Sequence, residues 1–262
     1  MMELNVSLGQ MNVHLGQPER NLETVEQMTE EAARRGSDLV LFPELWSTGY
    51  DLENAGRYAT ETDAGIYPKL AALARQHGIH LLGSTLSLLG PGEYGNTFTW
   101  FTPEGELMDA YSKIHLFQLM DEHHFLSGGA ERRLAESPWG SAGLAICYDL
   151  RFPELFRAYA LVGARMVFLP SEWPRPRLYH WQTLLRARAI ENQMFVIACN
   201  RVGTSKNTDF FGHSCIIDPW GEVVLEAGEQ EMLLTATIDL AQVDEVRAMI
   251  PVFADRRPAL YS

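Results

Sequence analysis

The chain has 262 residues, 46% of them apolar, and a formal net charge of −13. That charge argues against a nucleic-acid backbone or an anionic membrane surface as the main partner, although a local basic pocket stays possible. Three cysteines cannot build a disulfide framework, and none is arranged as a close metal-binding pair. The first residues, MMELNVSLGQ, lack a basic segment followed by an apolar run, and no later stretch approaches eighteen uninterrupted apolar residues. The expectation is a soluble, cytoplasmic protein with reduced thiols, long enough for one α/β domain with a large core.

Leu4 to Gln10 alternates in a β period, and a polar loop follows. The spacing of Leu22, Val25, Met28 and Ala32 predicts a helix over 21–35, with Asn21 as N-cap and Gly36 as stop. Leu39 to Phe42 reads as a strand covered on both faces, ending in Pro43 and Glu44. A carboxylate at that point lies at the carboxyl end of the sheet, where open α/β folds place their ligands. Asp63 is the expected cap of a second helix running to His77, ended by Gly78. Strands over 79–88, 96–102 and 106–111, joined by glycine-rich and Pro-Glu-Gly turns, form an antiparallel meander. The segment YSKIHLF (111–117) carries Lys113 at a strand end, where it is either a snorkelling surface lysine or part of a site.

Gly143 to Ile146 is a buried strand, and a helix starts at Pro153, a first-turn position where a missing amide proton costs nothing. Cys147 therefore stands where a strand stops and the chain bends, either as an exposed nucleophile or as a small buried hydrophobe. The helix runs to Val162 and leads into a strand over 166–169. Its continuation, MVFLPSEWP, echoes LVLFPELW (39–46) and suggests two related β-α-β halves. A long helix follows over 178–193, its apolar stripe formed by Leu178, Trp181, Leu184, Leu185 and Ile190. Strands are expected over 195–199 and 212–217, with a turn at 219–221. Segments 223–225 and 233–238 form a closing hairpin, and a helix occupies 240–249. Cys199 and Cys215 fall in strands and serve packing. Residues 251–262 have too little periodicity to pack alone and are expected to lie across another surface.

Glu44, Lys113 and Cys147 each fall at a predicted strand end, so one sheet edge could gather all three. Their chemistry is complementary. A thiol of ordinary pKa about 8.5 needs a base before it attacks a carbonyl, and a buried carboxylate can take the proton. The Lys113 ammonium and the backbone amide of Tyr148 could then hold the oxyanion of a tetrahedral intermediate.

FPEL (42–45), YSKIHLF (111–117) and CYDLRFPE (147–154) resemble, in order and spacing, the three signature segments of the nitrilase superfamily of carbon-nitrogen hydrolases. The similarity extends to ARAIENQ (187–193) and CNRVG (199–203), and so spans nearly the whole chain. The resemblance implies a four-layer αββα sandwich, a Glu44–Lys113–Cys147 triad, no metal, no organic cofactor, and homodimers or higher homo-oligomers extended by C-terminal arms, here 251–262 of a single 1–262 domain. It also implies that Glu122, in DEHHF (121–125), is a second glutamate that orients lysine and substrate; the alternative is a loop carboxylate. The second Phe-Pro-Glu, ending at Glu154, does not follow a buried strand and is a first-turn acid complementing its helix dipole. His115, His123 and His124 lack metal-site spacing, and adjacent histidines on an extended chain point to opposite sides.

DEHHF, SEWPRPR (171–177) and HWQTLLRARAIENQ (180–193) look most like the omega-amidase branch, whose members release ammonia from 2-oxoglutaramate and related 2-oxo acid amides. Such a substrate carries a remote carboxylate, which Arg177, or else Arg175, could receive in the Trp173-Pro-x-x-Arg pattern unless both arginines only cap or solvate the next helix. That branch usually shows Asn before the Trp-Pro pair, whereas this chain has Glu172, an acid that could repel an anionic substrate. The alternatives are an N-carbamoyl amine or simple aliphatic amide hydrolase with the same triad, and a non-catalytic interaction domain. The expected partners are a small-molecule amide and water.

Overall fold

The computed structural model describes residues 3–261. From the N-terminus, β1 (Glu3–Gln10) is followed by α1 (Pro18–Arg34), β2 (Leu39–Leu41), α2 (Ala55–Tyr58), α3 (Tyr67–His77), β3 (His80–Gly90), β4 (Glu93–Phe101), β5 (Leu107–Ser112) and α4 (Glu122–Phe125). The second half runs β6 (Leu134–Ser137), β7 (Gly140–Leu144), α5 (Pro153–Leu161), β8 (Met166–Ser171), α6 (Leu178–Asn192) and β9 (Phe195–Asn200). A hairpin of β10 (Val202–Ser205) and β11 (Thr208–Phe211) precedes β12 (Cys215–Ile217), β13 (Val223–Glu226), β14 (Met232–Asp239) and α7 (Ala241–Met249).

Two six-stranded mixed sheets result, ordered β14-β1-β2-β3-β4-β5 and β13-β12-β9-β8-β7-β6. Each has three parallel central strands joined through helices, β1-β2-β3 and β7-β8-β9, flanked by antiparallel strands. The two orders superimpose as a topological repeat, with β2 equivalent to β8, which is the relation that the LVLFPELW and MVFLPSEWP echo suggests. Alternation along the strands then builds the layers. Leu39 and Leu41 face the core between the sheets, while Val40 faces α1 and α3 through Leu22, Val25, Leu70 and Ala74. The sheets meet face to face where Trp100 sets its ring edge-on to Phe168, centroids 5.1 Å apart. Helices α5 and α6 cover the far side of the second sheet, completing the four-layer αββα sandwich. Among the described residues no helix is long and apolar enough to cross a membrane.

Several local expectations are corrected. Helix α1 starts at Pro18, so Asn21 is no N-cap; it is buried in the first turn, where its side chain bonds both backbone groups of His14 and the Ser47 carbonyl. Helix α3 starts at Tyr67, and Asp63 lies exposed in the preceding turn. Ile190 is half exposed on the outer face of α6 and packs on Gly221, while Trp181, Leu185, Ala189 and even Arg188 and Asn192 form the buried stripe. Strands β13 and β14 are not a hairpin: the chain crosses between sheets over 227–231, so β13 pairs with β12 and β14 with β1. The hairpins β6–β7 and β10–β11 have polar or short strands that the hydrophobic pattern does not mark. Past Pro251, Phe253 packs back against the core with Arg157 and Arg247 over its ring.

The strand leading to Cys147 is tightly seated. A Cβ on Gly143 would lie 2.5 Å from a ring carbon of Tyr159, whose hydroxyl donates to the Leu144 carbonyl at 2.6 Å. Gly143→Ala is therefore expected to destabilise the fold by about 1–3 kcal/mol, read as a lower urea midpoint at unchanged slope; an unchanged midpoint would show that the ring has room to shift.

Candidate active site

The first sheet ends with Glu44 just beyond β2 and Lys113 just beyond β5, and the second ends with Cys147 just beyond β7. Strand β5 runs in the same direction as β2, so both side chains leave the same edge. The three groups are thus drawn from two sheets rather than from one sheet edge, and they meet where the carboxyl ends of the sheets face each other. Lys113 is fully buried, not a snorkelling surface lysine. Its Nζ lies 2.7 Å from Glu44 Oε1 and 2.6 Å from Glu122 Oε1, and both carboxylates are likewise buried.

Each carboxylate is held by further donors. Glu44 Oε1 accepts from Asn96 Nδ2 at 2.8 Å, and Glu44 Oε2 accepts from the backbone N–H of Glu172 at 2.8 Å. Glu122, at the first position of α4, also accepts from the backbone N–H of Phe117. The Tyr50 hydroxyl stands 2.7 Å from Glu122 Oε1 and 3.2 Å from Glu44 Oε1. Burial alone would push the Lys113 ammonium down, but Glu122 and Glu44 outweigh it and hold the pKa above the usual lysine range. Burial pushes the Glu122 carboxyl up against the pull of Lys113.

Cys147 is buried and opens a short helical turn, Cys147–Arg151, with φ of 43°. Such a backbone is strained for a side-chain-bearing residue and persists only where its surroundings hold it. Asp149 supplies that hold. Its buried carboxylate accepts from the Ile146 N–H and the Tyr111 hydroxyl at Oδ2, 2.8 and 2.7 Å, and meets the His115 N–H and Nδ1 at Oδ1, 3.2 and 2.7 Å. One side chain therefore ties the cysteine turn to the lysine segment. Burial, then the proximity of Glu44, pushes the Cys147 thiol well above its usual range, so the resting group is a thiol.

A narrow cleft opens onto Cys147, lined by Phe117, Tyr148, Arg151, Glu172, Trp173, Pro174 and Arg177. Arg177 lies over the Phe117 ring at 5.4 Å and Arg151 over the Trp173 ring at 4.9 Å, so two cations stand on aromatic walls. Arg175 is outside this lining and pairs with Glu229 at 2.7 Å on the surface. Trp173 is fixed by Asn200, whose Oδ1 accepts from its N–H at 2.7 Å. Glu172 is buried and pairs with buried Arg201 at 3.1 Å. Burial raises its carboxyl to about 7, against the pull of Arg201 and helped by Glu44.

His123 and His124 lie on the helical turn α4 rather than on extended chain, their rings 3.9 Å apart. Among the described residues no group of three or more His, Cys, Asp or Glu side chains is placed to hold a metal ion. Sequence reasoning missed Tyr50, Asn96, Asp149 and Arg151. Asp149 and Arg151 stand inside the CYDLRFPE motif and were within reach; Tyr50 and Asn96 carry no local signal, because only the fold brings them to Glu44.

The chain and its fold have counterparts among known proteins. The chain is 42% identical over 260 residues to a 2-oxoglutaramate amidase of Bacillus subtilis (strain 168), covering 99% of this chain and 100% of that protein. The structure resembles that of a Xanthomonas campestris CN-hydrolase superfamily protein with an arsenic adduct in the active site, with a TM-score of 0.91, 34% identity and 98% of each chain covered. It also resembles a mutant amidase from Nesterenkonia sp. AN1 showing covalent addition of the acetamide moiety of fluoroacetamide at the active site cysteine. There the TM-score is 0.87 and the identity 27%, over 98% of this chain and 95% of that one. Residues 5–248 match the carbon-nitrogen hydrolase family, and this chain belongs to that family of enzymes.

Proposed function

We propose that the protein hydrolyses a small-molecule carboxamide through a thioester on Cys147, and that its substrate is the ω-amide of a 2-oxo dicarboxylic acid such as 2-oxoglutaramate. The observation that carries the reading is a buried ammonium, Lys113, clamped by Glu44 and Glu122 in the site that holds the Cys147 thiol.

In this reading Glu44 takes the thiol proton as sulfur attacks the amide carbon. The developing oxyanion is held by the Lys113 ammonium and the Tyr148 backbone N–H, donors of a kind worth on the order of 3 kcal/mol each. Collapse of the tetrahedral intermediate breaks the C–N bond, Glu44 returns the proton to nitrogen, and ammonia leaves. Water then attacks the thioester, giving its proton to Glu44; the carboxylic acid departs and the thiol is restored. Glu122 orients Lys113 through the 2.6 Å contact. The requirement for a reduced thiol suits a cytoplasmic setting.

Two features support the finer choice of substrate. The relative from Bacillus subtilis is a 2-oxoglutaramate amidase, and the cleft carries Arg177 and Arg151, which can receive a remote carboxylate while Trp173 and Tyr148 wall the chain between. Arg175 is committed to Glu229, which favours Arg177. Pairing with Arg201 offsets the charge that Glu172 would otherwise turn on an anionic substrate. The likeness to the Nesterenkonia amidase favours a second reading, simple aliphatic amides turned over by the same triad.

The same reading takes the chain as one domain whose residues 251–262 form an arm against a second copy. Met249, Ile250, Leu260 and Tyr261 are each exposed, apolar side chains available to such a contact. Removing 251–262 is expected to lower the mass found by light scattering from a dimer or larger to a monomer; an unchanged assembly would place the interface elsewhere.

Cys147→Ala is expected to fold as the parent does and to lose ammonia release from 2-oxoglutaramate by at least about a thousandfold. Mass spectrometry after rapid quenching should find the acyl adduct on Cys147 in the parent only. Full turnover by the variant would remove the nucleophile from the proposal. Arg177→Ala should lower kcat/KM for 2-oxoglutaramate by about 10- to 100-fold, the loss of one charge-assisted pair, while a short neutral amide is little affected. Equal losses on both would favour the aliphatic amide reading.

A further inference from the structure

Glu172 lines the cleft, and the proposed chemistry leaves its carboxylate unused. Its Oε2 accepts from Arg201 Nη1 at 3.1 Å, and its backbone N–H is committed to Glu44 Oε2. Its Oε1 is buried and has no hydrogen-bond partner. A buried carboxylate oxygen without a donor is costly, so a donor brought by a bound molecule is favourable there. Lys113 lies between Glu44 and Glu122, Tyr50 stands on the same two carboxylates, Arg201 also serves the Val13 carbonyl, and the adjacent Ser171 hydroxyl, though itself without a partner, is not within hydrogen-bond distance of Oε1.

A carboxamide brings the missing donor. Its carbonyl oxygen needs the two donors already assigned to the oxyanion, whereas its NH2 group needs acceptors. We propose that Glu172 is a specificity-determining residue whose free Oε1 accepts a hydrogen bond from the scissile amide nitrogen, which matches the cleft to primary amides against esters of the same acid. This rests on the hydrolase reading above and deepens it. An ester offers oxygen where the amide offers N–H, so two acceptors would face each other.

Arg201 makes the substitution Glu172→Gln informative. The guanidinium demands an acceptor, so the glutamine oxygen turns toward Arg201 and its NH2 takes the free position. The cleft then presents a donor to the amide nitrogen and suits the ester oxygen instead. Protonating Glu172 has the same sense. The charged and titratable groups around it are Arg201, Glu44 and Lys113, with Tyr50 close by and Cys147, Arg151 and Arg177 lining the same cleft, and burial places its carboxyl at about 7. As pH falls through that value the acceptor becomes a donor and amide preference declines.

The test compares kcat/KM for a primary amide and for the methyl ester of the same acid, which share one thioester, so that their ratio isolates the leaving group. In Glu172→Gln the amide-to-ester ratio should fall by about 10- to 100-fold, the range for one hydrogen bond to a charged group. In the parent enzyme the ratio should fall as pH is lowered from 8 to 6, while the common dependence on Glu44 and Cys147 cancels; this arm decides the matter if the variant does not fold. Turnover of both substrates with a ratio indifferent to the substitution and to pH overturns the inference alone. Turnover of neither, with no acyl adduct on Cys147, overturns the hydrolase reading and the inference with it.

Discussion

The burial of one ammonium organises this molecule. Taking a lysine head group out of water costs several kcal/mol even after relaxation, and Lys113 is repaid only because two buried carboxylates lie within 2.7 Å of it. Those carboxylates come from far apart in the chain, one beyond β2 and one from α4. The cluster therefore fixes the strand ends and the α4 excursion in one arrangement. Removing Lys113 leaves two buried carboxylates facing each other, and removing either carboxylate takes away one of the two groups that hold the ammonium, so stability and chemistry draw on the same contacts. The arrangement also keeps donors aimed at a reacting oxygen without reorganisation, which is where electrostatic catalysis gains most.

A second constraint joins the sheets. Cys147 belongs to one sheet and Lys113 to the other, and sheet-on-sheet packing alone sets such a distance only loosely. Asp149 tightens it through bonds to Tyr111 and His115 on one side and to Ile146 on the other. The positive φ at Cys147 is paired with another at Leu45, directly after Glu44, whose N–H is held by the Ser84 hydroxyl at 2.9 Å. Strained backbone thus sits at both the thiol and the base, each braced by a side chain from an adjacent segment.

What the sequence disclosed follows from how far each signal reaches. The buried parallel strands, the α1, α3, α5 and α6 periodicities, and the acid, lysine and thiol at strand ends are local patterns, and they were legible. Asn21 and Asp63 were misread because capping propensity is weak beside tertiary demand: Asn21 is worth more linking His14 to Ser47 than capping a helix. The β13–β14 pairing was misread because two strands adjacent in sequence pair by default, and only the closing of both sheets sends them apart. Asn96 lies 52 residues from the carboxylate it serves, a separation no window over the sequence spans, whereas Tyr50 lies only 6 away but in a stretch with no periodicity to place its side chain.

The internal repeat explains why the site is where it is, and why it is single. Equivalent strands β2 and β8 run on into Pro-Glu-Leu-Trp (43–46) and Pro-Ser-Glu-Trp (170–173), and the two segments touch where the Glu172 N–H meets Glu44 Oε2. The carboxyl ends of the two halves therefore face each other across a pseudo-twofold relation. A strictly symmetric pair would build two half-sites. Symmetry is broken at the strands beside them: β7 leads into the strained Cys147 turn, while its equivalent β1 leads into Met11 and Asn12, which serve Arg201 and its neighbours through backbone and amide groups. In one half the acid after the central strand contacts a cationic lysine beside a thiol. In the other it contacts an arginine that cannot lose its proton, leaving one carboxylate oxygen free to read the substrate rather than to move a proton.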